Sequence, residues 1–265
     1  MKIIALANQK GGVGKTTTAI NLGTALAAVG QRVLLVDLDP QGNASTGLGI
    51  ENSARLQSTY DVLVDRKPIA EVALPTIVPN LFIAPATPDL SSVDLTLSKE
   101  SSRANRLRDS LRTAGDQYDY VLIDCPPALN LLTLNALSAA ATVLVPLQCE
   151  FFALEGLSQL MNTIREVRSA LNASLEIQGI VLTMYDRRNN LCHQVAADAR
   201  QTLGDLVFET VIPRNVRLSE APSHAMPALL YDETSAGSLA YQRLAAELLT
   251  RATRVEKKRT SHAKT

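Results

Sequence analysis

Lys10-Gly11-Gly12-Val13-Gly14-Lys15-Thr16-Thr17 is the stretch on which the reading of this chain turns. Upstream, Ile3-Ile4-Ala5-Leu6-Ala7 is an unbroken apolar run, the pattern of a buried strand. Downstream, residues 16–29 carry a helical pattern. Between strand and helix, Gly11, Gly12 and Gly14 let the backbone curl until its N–H groups converge. The helix N-terminus adds the positive end of its dipole. Such a loop suits phosphate oxygens: Lys15 would reach the β- and γ-phosphates, and the Thr16 hydroxyl would ligate Mg²⁺. The general pattern is G-x-x-x-x-G-K-[ST]. Gln9 stands where its first glycine is expected, so the chain carries a variant, with a second lysine, Lys10, at the loop entrance.

Two more apolar runs end in carboxylates. Val33-Leu34-Leu35-Val36 leads into Asp37-Leu38-Asp39-Pro40-Gln41-Gly42, and Tyr120-Val121-Leu122-Ile123 leads into Asp124-Cys125-Pro126-Pro127. Asp37 and Asp39, two apart, share a side if the strand continues. One can hold a metal-bound water and the other can orient an attacking water. Pro40 and Gly42 mark a loop that can switch. An apolar strand closing on Asp, as at Asp124, has the form of a metal-supporting Walker B strand.

Strands are expected at residues 3–7, 32–37, 81–84, 120–124, 142–146, 177–183 and 207–212. Helices are expected at 16–29, 60–64, 91–97, 103–114, 131–139, 154–171, 191–203 and 238–252. This alternation predicts an α/β fold, a mostly parallel twisted sheet with helices on both faces. Ligands on such sheets bind at the carboxyl ends of the strands, so the loop, Asp37–Pro40 and Asp124–Pro127 should converge. Residues 1–252 read as one phosphate-loop domain, and residues 253–265 as a basic, flexible C-terminal tail.

The 265 residues are 46% hydrophobic, enough for one large domain. There is no Trp, and aromatics are 4% of the chain, which argues against a base-stacking platform. No apolar run approaches the roughly 20 residues of a membrane span, and Met1 leads straight into a strand. Cys125, Cys149 and Cys192 form no zinc or disulfide pattern and fit a reducing cytoplasm. Net charge is zero but uneven: residues 1–186 hold 14 Lys+Arg against 18 Asp+Glu, and residues 187–265 hold 12 against 8. A basic C-terminal third can meet polyanions.

The set KGGVGKTT, VLLVDLDPQGN, YVLIDCPP and IPRNVRLSEAPSH closely resembles the ParA/Soj family of chromosome- and plasmid-partitioning ATPases, deviant Walker A members of the MinD/ParA superfamily. The resemblance runs from Lys2 to about Leu249, in the short form without an added N-terminal helix-turn-helix region. It implies ATP and Mg²⁺ as cofactors. It implies that Lys10 reaches across a nucleotide-sandwich homodimer to the partner's phosphates and that Lys15 holds the β- and γ-phosphates. Gly11, Gly12, Val13 and Gly14 would line the phosphates and Thr17 would bond the α-phosphate. Asp39 would position the hydrolytic water. Asp37 would support the metal held by Thr16 and Asp124, and Pro213 to Asn215 would lie beside adenine. Arg188 and Arg217, with Arg187 and Arg214 near them, would contact double-stranded DNA without reading sequence. A ParB-type centromere-binding partner and a cytoplasmic, nucleoid-associated location follow from the same resemblance.

Thr183-Met184-Tyr185-Asp186 resembles a guanine-binding T-K-x-D motif with Met184 in place of lysine, which argues against GTP and puts Met184 near the base. The alternative is a MinD-like or other ParA-like ATPase that positions the division site or a non-DNA cargo. A MinD-like protein needs a C-terminal amphipathic helix. Residues 251–265 are basic with Val255 as the one bulky apolar residue, so stable membrane insertion is not expected. An iron–sulfur reductase would need paired cysteines near the loop, and Cys125 stands alone there.

Overall fold

The computed structural model describes residues 1–150 and 153–262, and in the second stretch the side chains from 156 to 253. Among the described residues seven strands form one sheet: β1 (Lys2–Leu6), β2 (Val33–Asp37), β3 (Leu74–Pro75), β4 (Leu81–Ala84), β5 (Tyr120–Asp124), β6 (Thr142–Gln148) and β7 (Glu176–Thr183). Their order is β3-β4-β2-β5-β1-β6-β7. Every pairing is parallel except β3 with β4. The expected α/β architecture is what forms.

Both faces of β2 and β5 are covered: each strand is buried along its whole length and apolar up to its closing aspartate, as strands buried on two sides are. Leu34, Val36, Val121 and Ile123 pack into one core, with helices Arg106–Ala114, Leu131–Ala139 and Ala153–Ala170. Val33, Leu35 and Leu122 pack into the other, with helix α1 (Lys15–Ala28) and the C-terminal helix Ala236–His262. Alternate residues of one strand thus serve opposite cores.

The register carries the function. β5 lies between β1 and β2, with Leu6 beside Asp124 and Asp37 beside Asp124. The phosphate loop and both strand-end carboxylates therefore leave the sheet side by side.

The strand expected at residues 207–212 is a correction: only isolated bridges form there, Ile180 with Val207 and Tyr185 with Pro213. The cause is a side chain. Glu247 of the C-terminal helix accepts the N–H groups of Glu209 and Thr210 at 3.0 Å each, so the middle of the segment cannot pair with β7. β3 escaped notice because it is two residues long and ends in Pro75, which an edge position tolerates. The C-terminal helix continues past the expected limit at 252 to His262, and residues 263–265 of the expected tail lie outside the described residues.

Candidate nucleotide site and arginine surface

The loop is held from both sides. Asn8 donates to Pro146 O of β6 at 2.8 Å and accepts from Lys10 N at 3.0 Å, while the Thr183 hydroxyl at the end of β7 donates to Val13 O at 2.8 Å. Gly14 caps α1 at φ 89°, a left-handed conformation that disfavours any side chain.

The two lysines face different ways. Lys15 is 7% exposed, and its Nζ donates to Lys10 O at 3.1 Å. Burial lowers its pKa, against the pull of Asp124 and other nearby groups including Asp39. Lys10 keeps 41% of its side chain exposed and forms an ion pair with Glu150, just past the end of β6. Sequence reasoning missed Glu150. An apolar strand run precedes it, but Gln148 and Cys149 intervene and blur the signal.

The three aspartates divide the work. Asp37 is fully buried. Its Oδ2 accepts from Ser45 N at 2.9 Å and Ser45 Oγ at 2.7 Å, and its Oδ1 accepts from Asp39 N at 3.1 Å. The two Ser45 bonds tie the end of β2 to the short helix α2 (Asn43–Gly47), and Ser45 Oγ in turn accepts from Ala86 N. Burial pushes the Asp37 carboxyl up to about 6, with the Ser45 bonds working against it. Asp39 is half-buried, and its Oδ1 accepts from Gln41 N at 3.0 Å. Gly42 follows at φ 62°, and a Cβ there would meet the Arg55 guanidinium. Arg55, also missed from sequence, bonds Ala86 O, Ile50 O and the Thr46 hydroxyl and so packs the far side of this loop.

Asp124 is fully buried, and neither carboxylate oxygen has a hydrogen-bond partner. Burial and then the Asp37 charge hold its pKa well above the usual carboxylate range. The Thr16 hydroxyl stands near enough to favour the charged form without completing a bond. Two orphaned buried oxygens are costly unless a cation arrives. Magnesium is bound through one or two protein oxygens, with phosphates and waters completing the shell. Thr16 with Asp124 meets that requirement, and no cluster of three or more His, Cys, Asp or Glu ligands occurs among the described residues.

The cost has a measurable sign. A carboxyl whose folded pKa is raised loses stability as pH climbs from its unfolded pKa to the folded one, and the penalty is full above that. Asp124→Asn should therefore stabilise the nucleotide-free protein. The expected rise is about 1–3 kcal/mol, or roughly 2–10 °C in Tm, at alkaline pH. The gain should shrink as the solution is acidified toward the ordinary carboxylate range. Thermal melts across that range are the check, and a lower Tm for the variant at alkaline pH would refute the account.

Beside the loop lies a cavity of about 460 Å³ lined by Gly14 and Thr17 on one side and by Met184, Pro213 and Asn215 on the other. Asn215 has an Oδ1 buried without a protein partner. Met184 turns out of β7 at φ 51°, an uncommon conformation for a residue with a side chain. The structure thus gathers around one cavity the loop and the three distant residues expected near the base.

Residues 1–177 match the family model described as an AAA domain. Over 253 residues the chain is 60% identical to the chromosome partitioning protein ParA of Caulobacter vibrioides, covering 95% of each chain. It is 51% identical over 250 residues to the chromosome-partitioning ATPase Soj of Treponema pallidum, covering 94% of this chain and 98% of that one. The chain belongs to the ParA/Soj family of ATPases.

Its fold also matches cobyrinic acid a,c-diamide synthase of Mycobacterium smegmatis with bound ATP analog and magnesium, at TM-score 0.83 and 35% identity over 96% of each chain. ATP and Mg²⁺ are the cofactors of this ParA/Soj chain, and the orphaned Asp124 oxygens, the glycine loop and the adjoining cavity fit them.

Three of the four arginines expected to act together do meet. Arg214 N donates to Tyr185 O at 3.0 Å, which brings residues 184–188 beside residues 213–214. Arg187, Arg188 and Arg214 then line one groove. Arg217 lies on a different depression with Tyr231, Asp232 and Glu233, and it is paired with Glu220 at 2.9 Å and Asp232 at 3.3 Å. Asp186 is held by Arg188 through two contacts at 3.1 and 3.0 Å. All three cysteines are free and buried, and burial raises the Cys125 thiol pKa, so Cys125 is no open cluster ligand. No described helix is long and apolar enough to cross a membrane.

Proposed function

We propose that this ATPase partitions chromosomes or plasmids by cycling between a monomer and an ATP-bound homodimer, the dimer binding double-stranded DNA without sequence preference. The observation that carries the reading is the outward Lys10. Lys15 already serves the interior of the site, so an exposed second ammonium at the loop mouth is suited to phosphates held by another subunit.

The geometry supports the following roles. Lys15, the loop N–H groups and Thr17 hold the phosphates of ATP. Thr16 and Asp124 hold Mg²⁺, which when bound neutralises phosphate charge. Asp39 orients the attacking water, and Asp37 secures the loop that carries it. Met184, Pro213 and Asn215 flank the base. An unpartnered Asn215 acceptor suits the exocyclic amine of adenine, and the Asp186 carboxylate, engaged by Arg188, is unavailable to guanine. Hydrolysis weakens the dimer and releases DNA, by the logic of phosphate-sensing loops. A ParB-type protein as the stimulating partner and a nucleoid-associated cytoplasmic location are part of the same proposal, supported by the chain's membership of the ParA/Soj family.

Dimerisation by analytical ultracentrifugation with a slowly hydrolysed ATP analogue tests the reading. Lys10→Ala should weaken the dimer by roughly tenfold or more, since a charge-assisted hydrogen bond contributes about 1.5–3 kcal/mol. Glu150→Gln should do the opposite, because Lys10 must leave Glu150 to reach a partner. Full ATP-dependent dimerisation by Lys10→Ala would sink the trans role.

A further inference from the structure

We propose that Arg243, on the C-terminal helix, belongs to the DNA-contacting surface, and that this surface is the groove between that helix and residues 184–188. The inference rests on the DNA-binding reading above and names a residue which that reading does not include.

The groove, about 800 Å³, is lined by Arg187, Arg188, Arg214 and Arg243, with Asp186 and Glu209 as its acids. Asp186 is cancelled by its two contacts with Arg188. That leaves Arg187, Arg214 and Arg243 against Glu209 alone. All three arginines are exposed, and none of their guanidinium groups has a hydrogen-bond or ion-pair partner among the described residues. Arg217, by contrast, is held by two carboxylates outside the groove.

The three arginines are mounted on stiff supports. Arg243 follows Tyr241 and precedes Leu244, both buried, and the Tyr241 hydroxyl is bonded to Thr18 of α1 at 3.1 Å. Arg214 is fixed by its N–H bond to Tyr185. Arg187 is fixed by His193, whose Nε2 donates to Arg187 O at 2.8 Å while its Nδ1 accepts from the Tyr185 hydroxyl at 2.9 Å. Guanidinium forks on rigid elements match phosphate oxygens. Tyr185 is the one aromatic side chain lining the groove, and its ring is in T-shaped contact with His193, so the lining is a set of guanidinium groups suited to the duplex backbone and carries no sequence preference. Leu239 is its one exposed bulky apolar residue, too little to insert into a lipid surface.

The test is binding of the full chain, loaded with a slowly hydrolysed ATP analogue, to a fluorescent duplex of arbitrary sequence across a salt series. Arg243→Ala should weaken binding roughly tenfold at low salt and reduce the slope of log K against log salt by about 0.9 for each phosphate that Arg243 neutralises. Arg243→Lys should keep most of the slope. Glu209→Gln should bind roughly threefold tighter, a gain that misfolding cannot imitate. Affinity and slope unchanged in Arg243→Ala and in Glu209→Gln, with the wild type binding well, would overturn the groove while leaving the DNA reading intact. A wild type that binds no duplex would overturn both. Loss of binding to anionic phosphatidylglycerol vesicles by Arg243→Glu, with duplex binding untouched, would reassign the groove to membranes.

Discussion

Lys15→Ala is expected to lower ATP turnover by about three orders of magnitude or more. Loss of one neutral donor from a cradle for developing negative charge already costs about 10²–10³ in rate, and charge-assisted hydrogen bonds are about twice as strong as neutral ones. Lys15 is a buried ammonium at the loop whose field also favours the charged Asp124. Its removal strips the phosphates of a cation and leaves Asp124 more reluctant to ionise, so phosphate and metal binding fail together. Calorimetric titration with Mg–ATP and phosphate-release kinetics read the two losses. Turnover within tenfold of wild type would refute the assignment.

Asp39→Ala is expected to separate binding from hydrolysis. A positioned carboxylate that orders and deprotonates a nucleophile contributes about 10²–10⁴-fold, while ATP affinity should stay near wild type because Asp39 does not hold the loop. The side chain accepts one hydrogen bond, from Gln41 N. The ATP dimer should then persist, and its dissociation from duplex DNA should slow in proportion. Asp37→Ala is the contrasting variant. It loses two hydrogen bonds from Ser45 that join β2 to α2 and a third from Asp39 N, so it should lower Tm and ATP affinity together. Equal hydrolysis by Asp39→Ala and wild type would remove Asp39 from the chemistry.

The phosphate loop was legible because its parts are contiguous: strand, glycines, lysine and helix lie within residues 3–29. Asp37, Asp39 and Asp124 were legible because strand ends in a parallel sheet share one edge. Their division of labour was not, since nothing local says that Ser45, eight residues on, occupies Asp37 while Asp124 keeps both oxygens open. Residues 207–212 failed as a strand for the same kind of reason: Glu247, 37 and 38 residues further along, captures their N–H groups. Glu150 and Arg243 carry no motif and become meaningful only through Lys10 and Arg214, which the chain separates from them by 140 and 29 positions.

By itself, the sequence determined the α/β class, the nucleotide loop with its two lysines and the carboxylates that accompany it. Those are local matters of apolar period, glycine placement and strand-end position, so neighbouring residues suffice to specify them. The tertiary structure alone decided that Lys15 turns inward while Lys10 turns out to Glu150. It also decided that Arg217 parts from Arg187 and Arg188, and that Arg243 joins them. Charges act through space over a few ångströms, and only the folded chain sets which distant charges come that close.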